Sequence, residues 1–341
     1  MAELTEDIPE GLKWTNLKGQ HLVDYATFRK DAAADVEGLQ SSDTADSLFG
    51  KNNDQHNLAQ ALAQLQKARQ IRVVNAVNKT YNSFGVDAYE ETCGLYPQWT
   101  GRLCKKGQPV CIFSSANLDA QTMKLYRESS TRLEADRKTG PAAGKVSMEV
   151  LRSILVFDNL TMFVMPLCSL TARRAARATP VSKMVLLVDI SGLGWSQMWN
   201  LKGYVQDFIN ILSTCFPEVL DKVFITGASG AFPTIWNLIK RWADAETIRK
   251  FVILSPNEVL PSLQEYIEME NIPTAFGGLH ELGIGTRPDL DRTIKTALEW
   301  EPEKDQELPE GPLKWDAGTI AVAVGSVQGV QRENSFASVA I

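Results

Sequence analysis

MVLLVDI, residues 184–190, is the stretch that decides the fold. It is apolar up to Asp189 and lies between Lys183 and the pair Ser191-Gly192. A short apolar run with polar and turn-forming residues at its ends is typical of a strand buried on both faces of a sheet. KVFITGA, residues 222–228, and KFVILS, residues 250–255, have the same character. The sequence therefore predicts three buried strands.

Segments with helical periodicity separate these strands. Residues 195–216 lie between the first and the second strand, residues 233–241 lie between the second and the third, and residues 259–269 follow the third. Strands that alternate with helices are typical of βαβ units, in which the strands run parallel and the helices cover the sheet. We therefore predict an α/β fold with a mainly parallel sheet.

The flanking regions have a different texture. Residues 1–95 are predicted to be mostly helical, most clearly over 56–82, and a further short strand is predicted at 109–113. Beyond residue 285 the chain becomes rich in Pro and Glu, which predicts a flexible tail. Within it, TIAVAVGSV at 319–327 is expected to add one edge strand. The predicted organisation is a helical region at 1–95, an α/β domain at 96–282 and a polar extension at 283–341.

Composition excludes several classes of protein. The 341 residues carry a net charge of −6, which argues against a general nucleic-acid binder because phosphate backbones require a basic face. The five cysteines form no CxxC pair, so we expect neither a zinc site nor a disulfide framework. We therefore expect the protein to reside in a reducing, cytoplasmic compartment. The N-terminus lacks the apolar core of a secretory signal. The apolar stretch at 154–170 contains Asp158 and Asn159, so it is expected to be a buried helix and not a membrane span.

Two motifs beside these strands partly match those of catalytic α/β proteins. Gly192-Leu193-Gly194 follows the first strand, but Gln197 occupies the place of the third glycine of a dinucleotide-binding turn. Gly227-Ala228-Ser229-Gly230-Ala231 follows the second strand, where a hydrolase would carry its nucleophile. A hydrolase acting through Ser229 remains an alternative, although the histidines are limited to His21, His56 and His280. The residues favour a binding protein and no cofactor or metal.

Six segments of the second half resemble one family, in the same order and at compatible spacings. They are YPQWTGRLCKKGQPVCIF, MPLCSLTARRAA, LLVDISGLG, FPEVLDKVFITGASGAF, WNLIKRWADAETIRKFVIL and NIPTAFGGLHEL. Together they resemble the CRAL-TRIO family, especially its fungal phosphatidylinositol-transfer branch, over about residues 96–282. The resemblance implies a parallel sheet with a gated lipid cavity, preceded by a helical region.

The resemblance also implies a gate helix over this cavity. Ile235, Leu238, Ile239 and Trp242 are spaced as one apolar stripe of a helix. Trp236 lies beside the stripe, where an aromatic ring is expected to enter the headgroup region of a membrane. The alternative interpretation is an ordinary helix that covers the sheet.

The resemblance further implies which residues contact the lipid headgroup. Glu218 follows Pro217, as in the family's Pro-Glu pair before the second core strand, and Thr247 and Lys250 match its Thr and Lys three residues apart. Arg29 and Lys30 resemble its N-terminal Arg-Lys pair, although about 65 residues separate Lys30 from Tyr96. Because of this insertion, Arg69 or Arg72 is an alternative source of the basic group.

The resemblance implies a non-catalytic carrier that binds one phospholipid, expected to be phosphatidylinositol, and exchanges it between membranes. A second lipid such as phosphatidylcholine, a sterol or squalene is expected to share the cavity. The protein is then expected to be cytoplasmic and to contact membranes peripherally. A carrier of haem or of another hydrophobic ligand is the alternative, and Tyr204 or Tyr266 would be its axial ligand.

Overall fold

The computed structural model describes nine parts of the chain. These are residues 58–136, 145–171, 180–193, 197, 201–228, 232–241, 245–282, 287–302 and 305–340. The elements below are numbered within these parts.

The sheet that carries the predicted strands has five members. They are β1 Gln98–Leu103, β2 Pro109–Ser114, β3 Met184–Asp189, β4 Leu220–Thr226 and β5 Phe251–Ile253. Their order across the sheet is the order along the chain, with β2 to β5 parallel and β1 antiparallel to β2. The prediction of a mainly parallel sheet is confirmed. The antiparallel edge strand β1 was not predicted.

Helices cover both faces of this sheet and form a layer beside it. They are α1 Leu58–Val74, α2 Val77–Ser83, α3 Val86–Cys93, α4 Ala120–Asp136, α5 Met148–Asn159, α6 Met165–Ser169, α7 Lys202–Cys215, α8 Phe232–Ile239, α9 Ala245–Arg249, α10 Val259–Tyr266 and α11 Arg292–Lys295. The single helix predicted at 56–82 is two helices in the described part, because Ala76 adopts a left-handed backbone with φ of 49° between α1 and α2.

The prediction of a buried helix at 154–170 is confirmed. A π-helical turn at Leu160–Val164 joins α5 to α6, and Leu155, Phe163 and Leu167 are fully buried. In the described parts of the chain, Met148–Ser169 is the one helix long and apolar enough to cross a membrane by length and composition. Since 72% of its most apolar window is buried inside the protein, it serves as a core helix.

The C-terminal region differs from the predicted tail. It forms a second sheet from β6 Leu298–Trp300, β7 Leu313–Asp316, β8 Ile320–Val327 and β9 Val330–Val339. The strands are antiparallel in the order β6-β9-β8-β7, so the expectation of one edge strand is wrong. The two-residue turn Gln328-Gly329 has φ of 51° and 80°, as a tight hairpin turn requires. β9 escaped detection because its first half, apart from Val330, consists of polar side chains that mostly face solvent.

Candidate functional site

An apolar cavity lies between one face of the five-stranded sheet and helices α7 and α8. We call it the main cavity. Its volume is about 160 Å³. Its floor is made by alternate residues of the central strands, including Leu186 and Val188 of β3 and Val223 and Ile225 of β4. These residues point to one face because side chains alternate along a strand. The predicted apolar cavity is therefore present, and its described wall is apolar except for Ser115 and the hydroxyl of Tyr204.

A smaller pocket of about 50 Å³ adjoins the main cavity at the edge of the sheet. We call it the edge pocket. Glu218, Thr247 and Lys250 all line it, so Glu218 meets two residues that lie 29 and 32 positions further along the chain. The two spaces share four wall residues. These are Phe208, Ile209, Leu220 and Phe251. A polar recess thus borders an apolar one.

Two lysines converge on the Glu218 carboxylate, Lys250 from the wall of this pocket and Lys183 from beside it. Lys250 Nζ donates to Glu218 Oε2 at 2.8 Å, and Lys183 Nζ lies 3.3 Å from the same oxygen. The side chains of Lys250 and Glu218 are only 13% and 12% exposed. Burial alone would raise the pKa of Glu218, but the hydrogen bond and charge of Lys250, with Lys183 beside it, hold that pKa below its ordinary value. The cluster therefore carries one positive charge in excess at neutral pH.

The topology of the sheet explains this convergence. Lys183 precedes β3, Glu218 lies just before β4, and Lys250 precedes β5. Because parallel strands start at the same edge of a sheet, residues before three adjacent strands are neighbours in space. The cluster therefore lies at the amino ends of the strands, whereas ligands of open parallel sheets are usually bound at the carboxyl ends.

Glu218 also has an unusual backbone. Its φ is 61°, in the left-handed region that non-glycine residues seldom adopt. Such a conformation is less stable by about 1–2 kcal/mol and persists only where the surroundings hold it. Two ion pairs provide that support here. The strained backbone aims the carboxylate between the two lysines.

The predicted gate helix is present as α8, although only part of it is described at side-chain level. Trp242 and the side chains of Ile235, Leu238 and Ile239 lie outside the described residues. Trp236 is half-buried and does not project outward as expected: its ring centroid lies 5.9 Å from that of Phe232 and 5.3 Å from that of Phe251. Stacking on these two rings, both of which line the main cavity, turns Trp236 inward.

None of the basic residues predicted from the N-terminal region is placed at the edge pocket by the described part of the chain. Arg29 and Lys30 lie outside the described residues. The prediction that Arg72 supplies the basic group is wrong. Both of its terminal nitrogens donate to the buried Asp158, at 2.7 and 2.9 Å, so its charge is already neutralised in the core. Neither Arg69 nor Arg72 lines the edge pocket.

The haem alternative receives no support from its candidate ligands. Tyr204 lines the main cavity, but its hydroxyl donates to the Leu95 carbonyl and burial raises its pKa well above the ordinary value. A phenolate ligand is therefore disfavoured. The prediction that Tyr266 reaches the cavity is wrong. It packs edge-on against Phe224, in the apolar core on the opposite face of the sheet from the main cavity.

Of the three histidines in the chain, the structure describes His280 alone, so it is the one candidate base of the hydrolase alternative that can be located. Ser229 lies outside the described residues. His280 is buried beside Asp289, with its Nδ1 3.8 Å from the Asp289 carboxylate, an acidic neighbour that the sequence did not reveal. Asp289 is hydrogen-bonded to Thr100 of β1, and β2 and β3 separate β1 from the end of β4. In the part of the chain that is described, no group of three His, Cys, Asp or Glu side chains could hold a metal ion.

Sequence reasoning missed two polar residues at these cavities. Lys183 bounds the strand predicted at 184–190, and its position before β3, next to Glu218 before β4, is the signal that points to its role. Ser115 lines the main cavity with a buried hydroxyl that has no hydrogen-bond partner among the described residues. No sequence pattern pointed to Ser115.

Comparisons with known proteins agree with this architecture. The family model of the CRAL/TRIO domain matches residues 99–278. The chain is similar to the Sec14 cytosolic factor of Schizosaccharomyces pombe, with 25% identity over 223 residues, 65% of this chain and 70% of that protein. It is also similar to the phosphatidylinositol/phosphatidylcholine transfer protein SFH11 of Arabidopsis thaliana, with 27% identity over 208 residues. That match covers 61% of this chain and 49% of the relative, so the chain spans about half of its length.

The solved structure of Sfh5 covers 76% of this chain and 82% of its own, with a TM-score of 0.49 and 15% identity. The family assignment rests on the domain match, which extends from the second residue of β1 to the Gly277-Gly278 turn. It therefore includes all five strands of the first sheet except Gln98. The chain belongs to the CRAL/TRIO domain family.

Proposed function

We propose that this protein binds a single phospholipid, preferentially phosphatidylinositol, and exchanges it between membranes without covalent catalysis. The main cavity would receive the acyl chains, and the edge pocket would receive the headgroup. The observation that carries this proposal is the shared wall between an apolar cavity and a polar pocket, beside which the cluster of Lys183, Glu218 and Lys250 carries one positive charge in excess. A phosphodiester carries one negative charge, so the two charges are complementary.

Each headgroup residue has a chemical role in this proposal. Lys250 neutralises the phosphate, and the hydroxyl of Thr247 donates a hydrogen bond to it. Glu218 orients Lys250 and Lys183 and accepts hydrogen bonds from inositol hydroxyls. Arg29 and Lys30 remain candidates for a further phosphate contact. The similarity to SFH11 supports the lipid class, because that relative is named a phosphatidylinositol/phosphatidylcholine transfer protein.

Exchange requires the cover of the cavity to move. A cavity of about 150 Å³ accommodates a molecule the size of benzene, so a two-chain lipid needs more space than the main cavity offers in this conformation. Helix α8, with Trp236 and Phe232 above the cavity, is the segment proposed to open on a membrane surface. Contacts with the bilayer then replace contacts in the cavity, so that loading and unloading have similar free energies. A cytosolic protein that contacts membranes peripherally fits this cycle, and phosphatidylcholine or a sterol is the proposed second ligand.

Mass spectrometry of co-purifying lipids tests the proposal. The wild-type protein is expected to carry phosphatidylinositol, and the double variant Thr247→Asp, Lys250→Ala is expected to carry about tenfold less or none, because it loses a charge-assisted hydrogen bond and gains a negative charge. Lys106→Ala is the matched control, since Lys106 forms an exposed ion pair with Asp221 outside the edge pocket. A normal phosphatidylinositol load in the double variant would refute the headgroup site.

A further inference from the structure

Glu218 has two ion-pair partners, and they differ in distance and exposure. Lys250 donates to Glu218 Oε2 at 2.8 Å, and its side chain is 13% exposed. Lys183 lies 3.3 Å from the same oxygen, and its side chain is 37% exposed. Because both ammonium groups bind one oxygen, either of them can stay paired with the carboxylate when the other leaves. The longer contact of Lys183 is therefore a reserve while Lys250 is in place.

The sheet holds the backbones of these three residues side by side. The Met184 N–H donates to the Val219 carbonyl at 2.8 Å. Lys183 and Glu218 directly precede these two residues and are therefore neighbours. The Lys250 carbonyl accepts from an N–H of β4 at 2.9 Å. Since the backbones are fixed, a change of partner at the carboxylate requires only rotations within the lysine side chains.

Phosphate binding at Lys250 would disturb the ion pair with Glu218. Lys250 lines the edge pocket, where its ammonium group is proposed to contact the lipid phosphate. Glu218, whose side chain is only 12% exposed, would then lose its nearest partner. A buried carboxylate that is left without a partner is strongly destabilising, and this penalty would weaken lipid binding. Lys183 can prevent the penalty because its ammonium group already lies beside the carboxylate.

We propose that Lys183 is a positioning residue for headgroup binding, which becomes the main partner of Glu218 when Lys250 turns to the lipid phosphate. This role presupposes the phosphatidylinositol site proposed above. Lys183 is not among the described residues that line the edge pocket, so it acts through Glu218 and not by contact with the lipid. The exchange keeps the carboxylate paired and makes the charge of Lys250 available to the phosphate.

Binding of phosphatidylinositol by the full-length protein tests this role. The probe is pyrene-labelled phosphatidylinositol in phosphatidylcholine vesicles. Lys183→Met should lower the affinity about tenfold, whereas Lys183→Arg should stay within about twofold of the wild type. Lys106→Met is the matched control and should also stay within about twofold, because it removes a lysine that pairs with Asp221 at the same edge of the sheet. The unfolding midpoint of lipid-free Lys183→Met should be unchanged, since Lys250 still pairs with Glu218 there.

A second background separates positioning from direct contact with the lipid. Glu218→Gln has no carboxylate charge to stabilise, so adding Lys183→Met to it should change the affinity by less than about twofold. A lysine that bound the lipid itself would lower the affinity in this background as well.

The pH dependence of binding gives an independent readout. In the described part of the chain, Lys250 and Lys183 are the charged groups that lower the pKa of Glu218. In lipid-bound Lys183→Met both would be lost to the carboxylate, so its pKa should rise and binding should take up a proton. The affinity of Lys183→Met should therefore increase about fivefold from pH 7 to pH 5, while that of the wild type changes less.

The outcomes distinguish this role from the proposed function. If the wild type does not bind phosphatidylinositol, the proposed function fails and the role of Lys183 fails with it. If the wild type binds and Lys183→Met binds equally well, only the role of Lys183 is refuted. An equal loss of affinity in both backgrounds, or a lower unfolding midpoint of lipid-free Lys183→Met, would also overturn it. Should Lys183→Met not fold, Lys183→Gln takes its place in every comparison.

Discussion

The two faces of the five-stranded sheet are built from the same strands, yet one face is solid and the other is hollow. On β3, Val185 and Leu187 are completely buried in the core cluster that contains Ile267 and Ile272. Leu186 and Val188 alternate with them and face the main cavity. Both sets are equally apolar, so the strand residues do not create the hollow. The cover creates it, because α10 and the turns after it pack closely, whereas α7 and α8 leave a space.

The largest expected difference between the two faces is the stability lost when a phenylalanine ring is removed. Phe224 is 1% exposed and packs against Tyr266 on the solid face, so Phe224→Ala should lower the free energy of unfolding by about 3–5 kcal/mol. Phe113, half-buried at the wall of the main cavity, is the matched position on the hollow face. Phe113→Ala should cost about 1–2 kcal/mol, since part of the ring already contacts free space. Urea unfolding measures both values, and equal losses would contradict a hollow face.

Enlarging a side chain should also cost more stability on the packed face than on the face that borders the main cavity. Leu187→Phe inserts atoms into a packed cluster and should destabilise the protein by about 1–3 kcal/mol. Val188→Phe adds more atoms, but they enter the main cavity, so a cost of about 0.5 kcal/mol or less is expected. The same variant should reduce uptake of phosphatidylinositol from vesicles, as the proposed function requires. If Val188→Phe unfolded as readily as Leu187→Phe, the cavity would be closed in solution.

The smallest effect is expected at the charged edge of the hollow face. The pKa of Glu218 is below its ordinary value in the folded protein, so the stability it provides is fully present above about pH 4.3. That stability is lost as the pH falls through the lower folded value. Its size should be on the order of 1 kcal/mol, between the values for exposed and buried pairs.

Denaturant titrations from pH 6 to pH 3 measure this contribution. Glu218→Gln should remove the pH-dependent part, while Asp221→Asn, which disrupts the exposed pair with Lys106, should leave it in place. An unaltered pH profile in Glu218→Gln would show that the two lysines do not stabilise this carboxylate.

The strands of the first sheet were largely predictable because their signal is local. The apolar runs at 184–190, 222–228 and 250–255 correspond to β3, β4 and β5 within a few residues at each end. The second sheet was missed for an equally physical reason: β8 is apolar, but its partner β7 has only four residues, and its partner β9 is exposed and polar along its first half. A strand with one solvated face has only a weak apolar pattern.

The candidate site was predictable only as a set of residue types. Glu218, Thr247 and Lys250 were named from a family resemblance, and the structure brings them to one pocket. Lys183 needed the register of β3 against β4, and the engagement of Arg72 with Asp158 needed the packing of α1 against α5. Such partners are distant in sequence, so no local pattern contains them.

The sequence by itself determined the α/β class, the order of the central strands along the chain and the apolar character of both sheet faces. Hydrophobic periodicity carries this information, because burial on both sides of a strand requires apolar residues at successive positions. Only the tertiary structure decided which face is hollow and how the lysines surround Glu218. Empty space is a property of how covering elements fit together, and no residue encodes it alone.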